Sequence, residues 1–375
     1  MRNPIGSKAR KTILARKQLK SRQGRTMAYV TGLFVVDAPS SALNNAGPDT
    51  GAKTDNTIAV KKIRTPAGDR PYVSAQAVRY WIRMTLQNAG GKWVAARVYR
   101  EGKVAYTDAD PITNWDDDLF GYMRAPSKKT DATKDAAATP LEKDRDITRV
   151  SPFRVGTMVA TAPSTIVDDF GTMARQNGDP VPYEHQFYRA HLACLFSLDL
   201  SCAGTFFDGE RVGIKNLDSH RRKNAEDKGL SKVEVRGQTA FRLPIVQRQE
   251  RVATLIRSLG TLDGGAKLTL HYTDVAPSMI FVAVTRSGNH PFARVLTASN
   301  RHETELHAEA LTEMLGAYKG DFLSKIHVGW AKGFLDDQRV RLPQNGLLLP
   351  PVHPRNAIED LAAELESKEH QTWYA

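Results

Sequence analysis

The stretch AYVTGLFVVDA, residues 28–38, is dense in β-branched and aromatic side chains, carries Gly32 inside it and is closed by Pro39; it predicts a strand. A polar loop follows it (SSALNNAGPDTGAKTDN, 40–56), then a short strand IAVKKIR (58–64) and the turn TPAGDRP (65–71). Ser74 is placed to cap a helix over 75–89, in which Ala77, Tyr80, Trp81, Met84 and Leu86 form an apolar stripe. Gln76, Arg79 and Arg83 lie on another side of that helix. Gly90-Gly91 ends it, and WVAARVY (93–99) reads as the next strand.

Farther along, VGTMVATA (155–162) and HLACLFSLDLSCAGTFF (191–207) are strand patterns. Pro244 opens a helix running to about Leu259, strands are expected at 266–273 and 278–286, and helices at about 301–316 and 356–368. A strand, a helix, strands, a second helix and strands again predict an α+β fold with a ferredoxin-like sheet. Two charged segments, 101–148 and 211–236, interrupt the pattern and read as insertions. The first of them includes the low-complexity run SKKTDATKDAAATP (127–140).

The 375 residues suffice for one large elaborated core, expected over 27–375. The longest apolar runs, LFVV (33–36) and MIFVAV (279–284), are too short to span a bilayer, so no membrane partner is expected. Two cysteines, Cys194 and Cys202, exclude a disulfide framework and make a reducing cytoplasm the expected location. Of the formal net charge of +12, residues 1–26 supply nine Lys/Arg and no acid, leaving +3 for the rest. The high isoelectric point therefore belongs to this basic extension, which reads equally as a nucleic-acid arm or an incidental leader, with Met27 as an alternative start.

Motifs that look catalytic do not hold up. GPDTGAKT (47–54) has three residues between its glycines, and Ala52 stands before Lys53, so the backbone and lysine of a phosphate loop cannot converge. His302 and His307 in HETELH are five apart, about 140° around a helix, and cannot share a zinc ion. His185 and His191, six apart, fail likewise. Asp116-Asp117-Asp118 reads as a solvated turn rather than a metal cluster, and no catalytic set, metal site or cofactor is expected. Asp37, where the first strand meets the long loop, could orient a ribose 2′-OH or a metal if RNA were bound beside it, although a lone aspartate at a strand end more often forms a turn.

There remain polar and basic positions spread over loops and one helix face: Asn44, Asn45, Lys61, Lys62, Arg64, Gln76, Arg79, Arg124, Arg154, and Arg221-Arg222-Lys223. Such groups can track a phosphodiester backbone without reading bases, although a solvated surface would look the same.

Several phrases shift that balance: YVTGLFVVDAPSSALNNAG, NTIAVKKIRTP, PYVSAQAVRYWIR, DDDLFGYMR, SPFRVGTMVATAP and PYEHQFYRAHLACLFSLDLSCAGTFF. In this order they resemble the CRISPR-associated DevR family, the backbone subunit of type I CRISPR effector (Cascade) complexes, most like the I-B branch. The resemblance runs from about Met27 to at least residue 330. It implies an RRM-like palm, helical fingers and a thumb hairpin, with 101–148 as fingers and 211–236, or the 40–56 loop, as thumb.

It also implies a non-enzymatic subunit, several copies of which stack along a CRISPR RNA spacer and hold it for pairing with a target DNA strand, beside other Cascade subunits. Antiviral defence and RNA-guided transposition would use the same subunit. On this reading Gln76, Arg79, Asn44, Asn45, Arg124 and Arg154 contact the RNA, joined by Lys61, Arg64, Arg221 and Arg222. The aromatic signature of generic RRM domains is absent, so stacking of bases on the sheet is not implied. Two alternatives are a metal-dependent ribonuclease acting at Asp37 and a DNA-binding autoregulator; no helix-turn-helix pattern supports the latter.

Overall fold

A computed structural model describes residues 27–48, 57–101, 103–125, 141 and 145–375. The basic extension 1–26, the centre of the loop after the first strand and the whole low-complexity run lie outside the described residues. The decisive stretch forms β1 (Tyr29–Ser41). It is buried on both faces: Val30, Phe34 and Val36 join one apolar cluster, Leu33 and Val35 another. Gly32 is required where it stands, because an added Cβ would lie 2.4 Å from the Phe196 ring on the neighbouring strand.

Four short strands follow: β2 (Asn45–Pro48), β3 (Thr57–Val60), β4 (Lys62–Thr65) and β5 (Gly68–Val73). Ser74 then caps α1 (Ala75–Asn88), its hydroxyl accepting from the Ala77 amide, as expected from the sequence. Val78, Trp81 and Ile82 of α1 are buried, but Tyr80 is 59% exposed and so leaves the apolar stripe assigned to it. The expected strand at 93–99 forms only from Val98, as β6 (Val98–Glu101), hairpinned with β7 (Val104–Thr107).

Next come α2 (Trp115–Phe120), β8 (Tyr122–Arg124), β9 (Ile147–Arg149), β10 (Phe153–Val155), β11 (Met158–Ala160), β12 (Ile166–Met173) and β13 (Val181–Asp199). The last is 19 residues long, roughly 60 Å of extended chain. A module of β14 (Thr205–Phe207), α3 (Ser219–Asp227), β15 (Ser231–Val235) and β16 (Gln238–Arg242) follows, and then α4 (Ile245–Ser258). The chain closes with β17 (Met279–Thr285), β18 (Leu296–Ala298), β19 (Thr304–Leu306), α5 (Ala308–Ala317), β20 (His327–Trp330), α6 (Asp336–Arg339) and α7 (Pro354–Glu366).

The central sheet runs β20-β17-β1-β13-β11-β5-β4, with β10 also on β13. The pairings along that path are antiparallel. Residues from α1, α4 and α7, among them Trp81, Leu255 and Leu361, cover one face. The other face is covered only in part, by Phe292, Leu306, Leu311 and Leu315. The fold is thus mixed α+β, as the order of elements predicts. Two expectations fail locally. Residues 266–273 turn rather than extend, with Lys267 at a left-handed φ of 52° and its carbonyl accepting from the Leu270 and His271 amides. The expected helix at 301–316 begins only at Ala308, after β19.

The three aspartates are also not a solvated turn: they form α2 and are buried. Asp118 is fully buried, ion-paired with Arg149 and with Arg251 at 2.8 Å, and accepts from the Gly204 amide. Asp117 accepts from Thr107 Oγ1 at 2.6 Å and from the Asp110 amide at 3.0 Å; burial raises it to about 6. A sequence window cannot show this, because Arg149 and Arg251 arrive from far along the chain.

Removing the Asp118 carboxylate would leave two guanidinium groups buried against each other. Asp118→Ala is therefore expected to cost about 3–5 kcal/mol in urea unfolding. A loss below about 1 kcal/mol would show that solvent reaches the cluster.

Candidate nucleic-acid interface

β13 alternates along its length: Leu192, Cys194, Phe196 and Leu198 face the helices and are buried, whereas Arg189, His191, Ala193, Leu195 and Ser197 stay partly or fully exposed. β10 forms an edge beside this strip, with Arg154 opposite Ser197 and exposed. On the other side of that edge lies α1. Arg79 donates from Nη1 to the Phe153 carbonyl at 2.7 Å and to Ser151 Oγ at 3.2 Å, and from Nη2 to the Phe120 carbonyl at 2.6 Å. Burial, then the neighbouring Arg83, lowers Arg79 to about 10, so it stays a cation at neutral pH. Its donors are engaged within the protein; it acts as a strut joining α1, α2 and β10.

Outward from that strut, α1 presents Gln76 and Tyr80, both exposed, and Arg83. They stand at i, i+4 and i+7, one side of the helix. The Arg83 guanidinium sits 4.3 Å from the centre of the Phe120 ring and 3.5 Å from Asp116. Met123 (74% exposed) and Val150 (63%) lie on the adjoining α2–β8 and β9–β10 segments. The structure thus brings Gln76, Arg79 and Arg154 to one sheet edge and adds Arg83 and Tyr80. The helical spacing could have identified Tyr80, had its ring not been counted with the apolar stripe; nothing in the sequence marks Met123 or Val150.

A second group sits on the β4–β5 hairpin and beside it. Arg64 is exposed, Lys62 is paired with Asp69 at 2.8 Å, and Lys61 is half-buried, its amide donating to the Asn44 carbonyl. Asn44 Nδ2 and Asn45 Oδ1 are buried without hydrogen-bond partners among the described residues. A polar hollow of about 430 Å³ opens between this hairpin and β12; Lys62, Asp69, Asp168 and His302 line it with mixed charge.

Three remaining cations are turned elsewhere. Arg124 is 4% exposed, donates to the Asp108 carbonyl at 3.1 Å and stacks on Tyr106. Arg221 is 1% exposed, paired with Asp218 at 2.8 Å and bonded to the Ala109 carbonyl. Arg222 grips Asp208 with two nitrogens. Arg221 thus ties the β14–β16 module to the 103–124 segment, Arg124 is held within that segment, and Arg222 pairs within the module with its side chain 35% exposed; Lys223 is exposed.

Asp37 lies opposite His191 in the β1–β13 register, its Oδ1 3.5 Å from His191 Nε2. Burial lowers the His191 imidazole from its ordinary range, against the pull of Asp37. Among the described residues no three His, Cys, Asp or Glu side chains are grouped to hold a metal ion, so Asp37 has one imidazole beside it and no second carboxylate. No helix of the described residues is long and apolar enough to cross a membrane.

No protein-family model matches the sequence, and no curated protein matches it. The fold is similar to that of a chain in a solved structure described as a CRISPR RNA-guided surveillance complex, pre-nicking: TM-score 0.52, 12% identity, covering 90% of this chain and all of that one. A chain from another CRISPR RNA-guided surveillance complex gives a TM-score of 0.47, with 12% identity over 90% of this chain and 99% of that one. At 12% identity the first likeness is one of fold.

The strut and its neighbour separate experimentally. Arg79→Ala, which removes three hydrogen bonds at the junction, is expected to lower stability by about 2–3 kcal/mol. Arg83→Ala should cost less than about 1 kcal/mol, because its ion pair is long and partly exposed. Equal losses in chemical denaturation would contradict this division of roles.

Proposed function

We propose that the chain is a CRISPR RNA-binding subunit of a type I Cascade surveillance complex, several copies of which stack along the guide and hold it for pairing with target DNA. The observation that carries this reading is the likeness of fold to a chain of an RNA-guided surveillance complex over that chain's whole length. The I-B branch and the DevR family rest on the sequence phrases alone.

On this reading the palm is the β1-α1-β10/β11-β13-α4-β17 unit. Its strand order, β17-β1-β13-β11, is that of a split βαβ sheet. The fingers are the 103–124 segment fastened to the β14–β16 module. The thumb is the arm made by β12 and the first half of β13, in place of either candidate read from the sequence. Exposed Val167, Phe170, Met173 and Val181 make that arm apolar enough to dock on a neighbour. Copies related head to tail would extend as an open filament.

The RNA track runs over Gln76, Tyr80 and Arg83 on α1 and past Arg154, with Lys61 and Arg64 beside it. These groups suit backbone contacts, which a carrier of varying guides requires, since base pairing supplies specificity. The subunit acts by binding, not catalysis.

The test is to co-express the protein with a CRISPR array and its neighbouring effector genes and extract the nucleic acid that co-purifies. Discrete, repeat-derived RNA in a large assembly is expected; an assembly free of RNA overturns the proposal. Arg83→Ala and Arg154→Ala should each weaken RNA binding equally for unrelated spacers and lower the log–log salt slope by about 1. RNA cut in the presence of Mg²⁺ by the parent protein, but not by Asp37→Ala, would favour the ribonuclease instead.

A further inference from the structure

The arm leaves the central sheet at Tyr188, the last β13 residue paired with β1. At its root His185 is 5% exposed, and its ring centre lies 5.0 Å from that of His271 in the 266–273 turn. Phe187 packs on His271 at 5.2 Å, and Tyr183 stacks on His185 at 5.8 Å. The turn is held to the body at its far end, where the Thr273 and Ser41 hydroxyls share a hydrogen bond. The two imidazoles are therefore the contact by which the turn grips the arm.

Among the described residues, the charged groups around this pair are few. From β12, Asp169 places Oδ2 3.3 Å from His185 Nε2. From the turn itself, Lys267 repels both rings. Glu184 on β13 is engaged with Thr57 Oγ1 on β3, the strand paired beside His185. His185 Nδ1 and His271 Nε2 are buried and have no hydrogen-bond partner among the described residues. A proton added to either nitrogen creates a cation with nowhere to donate, facing a second basic ring and a lysine, while Asp169 can offset one charge at most.

We propose that His185 and His271 form a proton-operated latch: the neutral rings clamp the 266–273 turn to the root of the arm, and protonation releases it. This stands independently of the nucleic-acid reading. The direction follows from linkage. Burial lowers both imidazoles below their ordinary value of 6.5. The clamped state then binds fewer protons than the released one, so clamping is full above 6.5 and is lost as the pH falls toward the depressed values.

Hydrogen exchange on the full chain, corrected for intrinsic rates, reads the latch at about pH 7.5 and about pH 5.5. Amides of 266–273 and of 181–187 should lose up to about tenfold in protection for each depressed ring at the lower pH, which lies one unit below the ordinary imidazole value, with β1 and α7 unchanged. His271→Phe, which stacks but cannot titrate, should lose less protection at the lower value than the parent, because only His185 still takes up a proton. Unchanged protection in the parent, or an equal acid loss in the Phe variant, overturns the latch. Should that variant fail to fold, the parent's imidazole protons decide by NMR. Titration of both rings below the ordinary range, together with shifts in the turn, supports the latch; titration at the ordinary value with the turn unmoved removes it.

Discussion

A carboxylate with no exposure, Asp118, holds the insertions to the sheet. Arg149 reaches it from β9, Arg251 from α4, and the Gly204 amide from the turn after β13. Arg251 also donates to the Pro111 and Ile112 carbonyls, and Arg149 to those of Cys202 and Thr205. One anion thus fixes four stretches of chain that are remote in sequence. Burying such a group gains little net stability over an apolar core, but it admits few alternative packings, since any displacement strands a charge. That constraint lets long insertions sit in a fixed place on the sheet.

The same economy governs the other arginines. Arg248 donates to the Leu200, Ser201 and Ala203 carbonyls, and Arg221 to those of Asp108 and Ala109. Guanidinium groups are used here to satisfy carbonyls of irregular chain that no strand or helix can pair. A basic composition therefore overstates the charge available to an external polyanion. Arg83, Arg154, Arg189 and Arg64 are what α1, the sheet strip and the β4–β5 hairpin offer outward.

This explains which parts were legible in the sequence. β1 and α1 are written in local signals, a β-branched run closed by proline and a serine cap before an apolar period, and the chain obeys them. β13 is legible from its alternation, though its first ten residues are not: Pro182, Glu184, His185 and Gln186 belong to an arm without a core to pattern them. The burial of Asp118 and of Arg221 depends on partners more than a hundred positions away, Arg251 and the Asp108 and Ala109 carbonyls, which no window contains. Residues 266–273 alternate like a strand, yet Gly264-Gly265 and the left-handed Lys267 turn them back.

The site itself follows from a division between struts and contacts. Arg79 and Arg83 are one turn apart on the same helix and chemically identical, and the sequence gives no reason to rank them. The structure does: Arg79 meets three acceptors that close the junction of α1, α2 and β10, whereas Arg83 lies across the Phe120 ring with one long, partly exposed ion pair. A group that must meet a phosphate needs free donors on a rigid mount, because each freely rotating side chain would surrender entropy on binding. Arg79 supplies the mount by locking the helix to the sheet edge. Arg83, stacked on the Phe120 ring and about a third exposed, shares its side of the helix with Tyr80 and Gln76. On the proposed reading, the cation engaged by three acceptors steadies the one that keeps a single long ion pair, and exchanging their partners would exchange those roles.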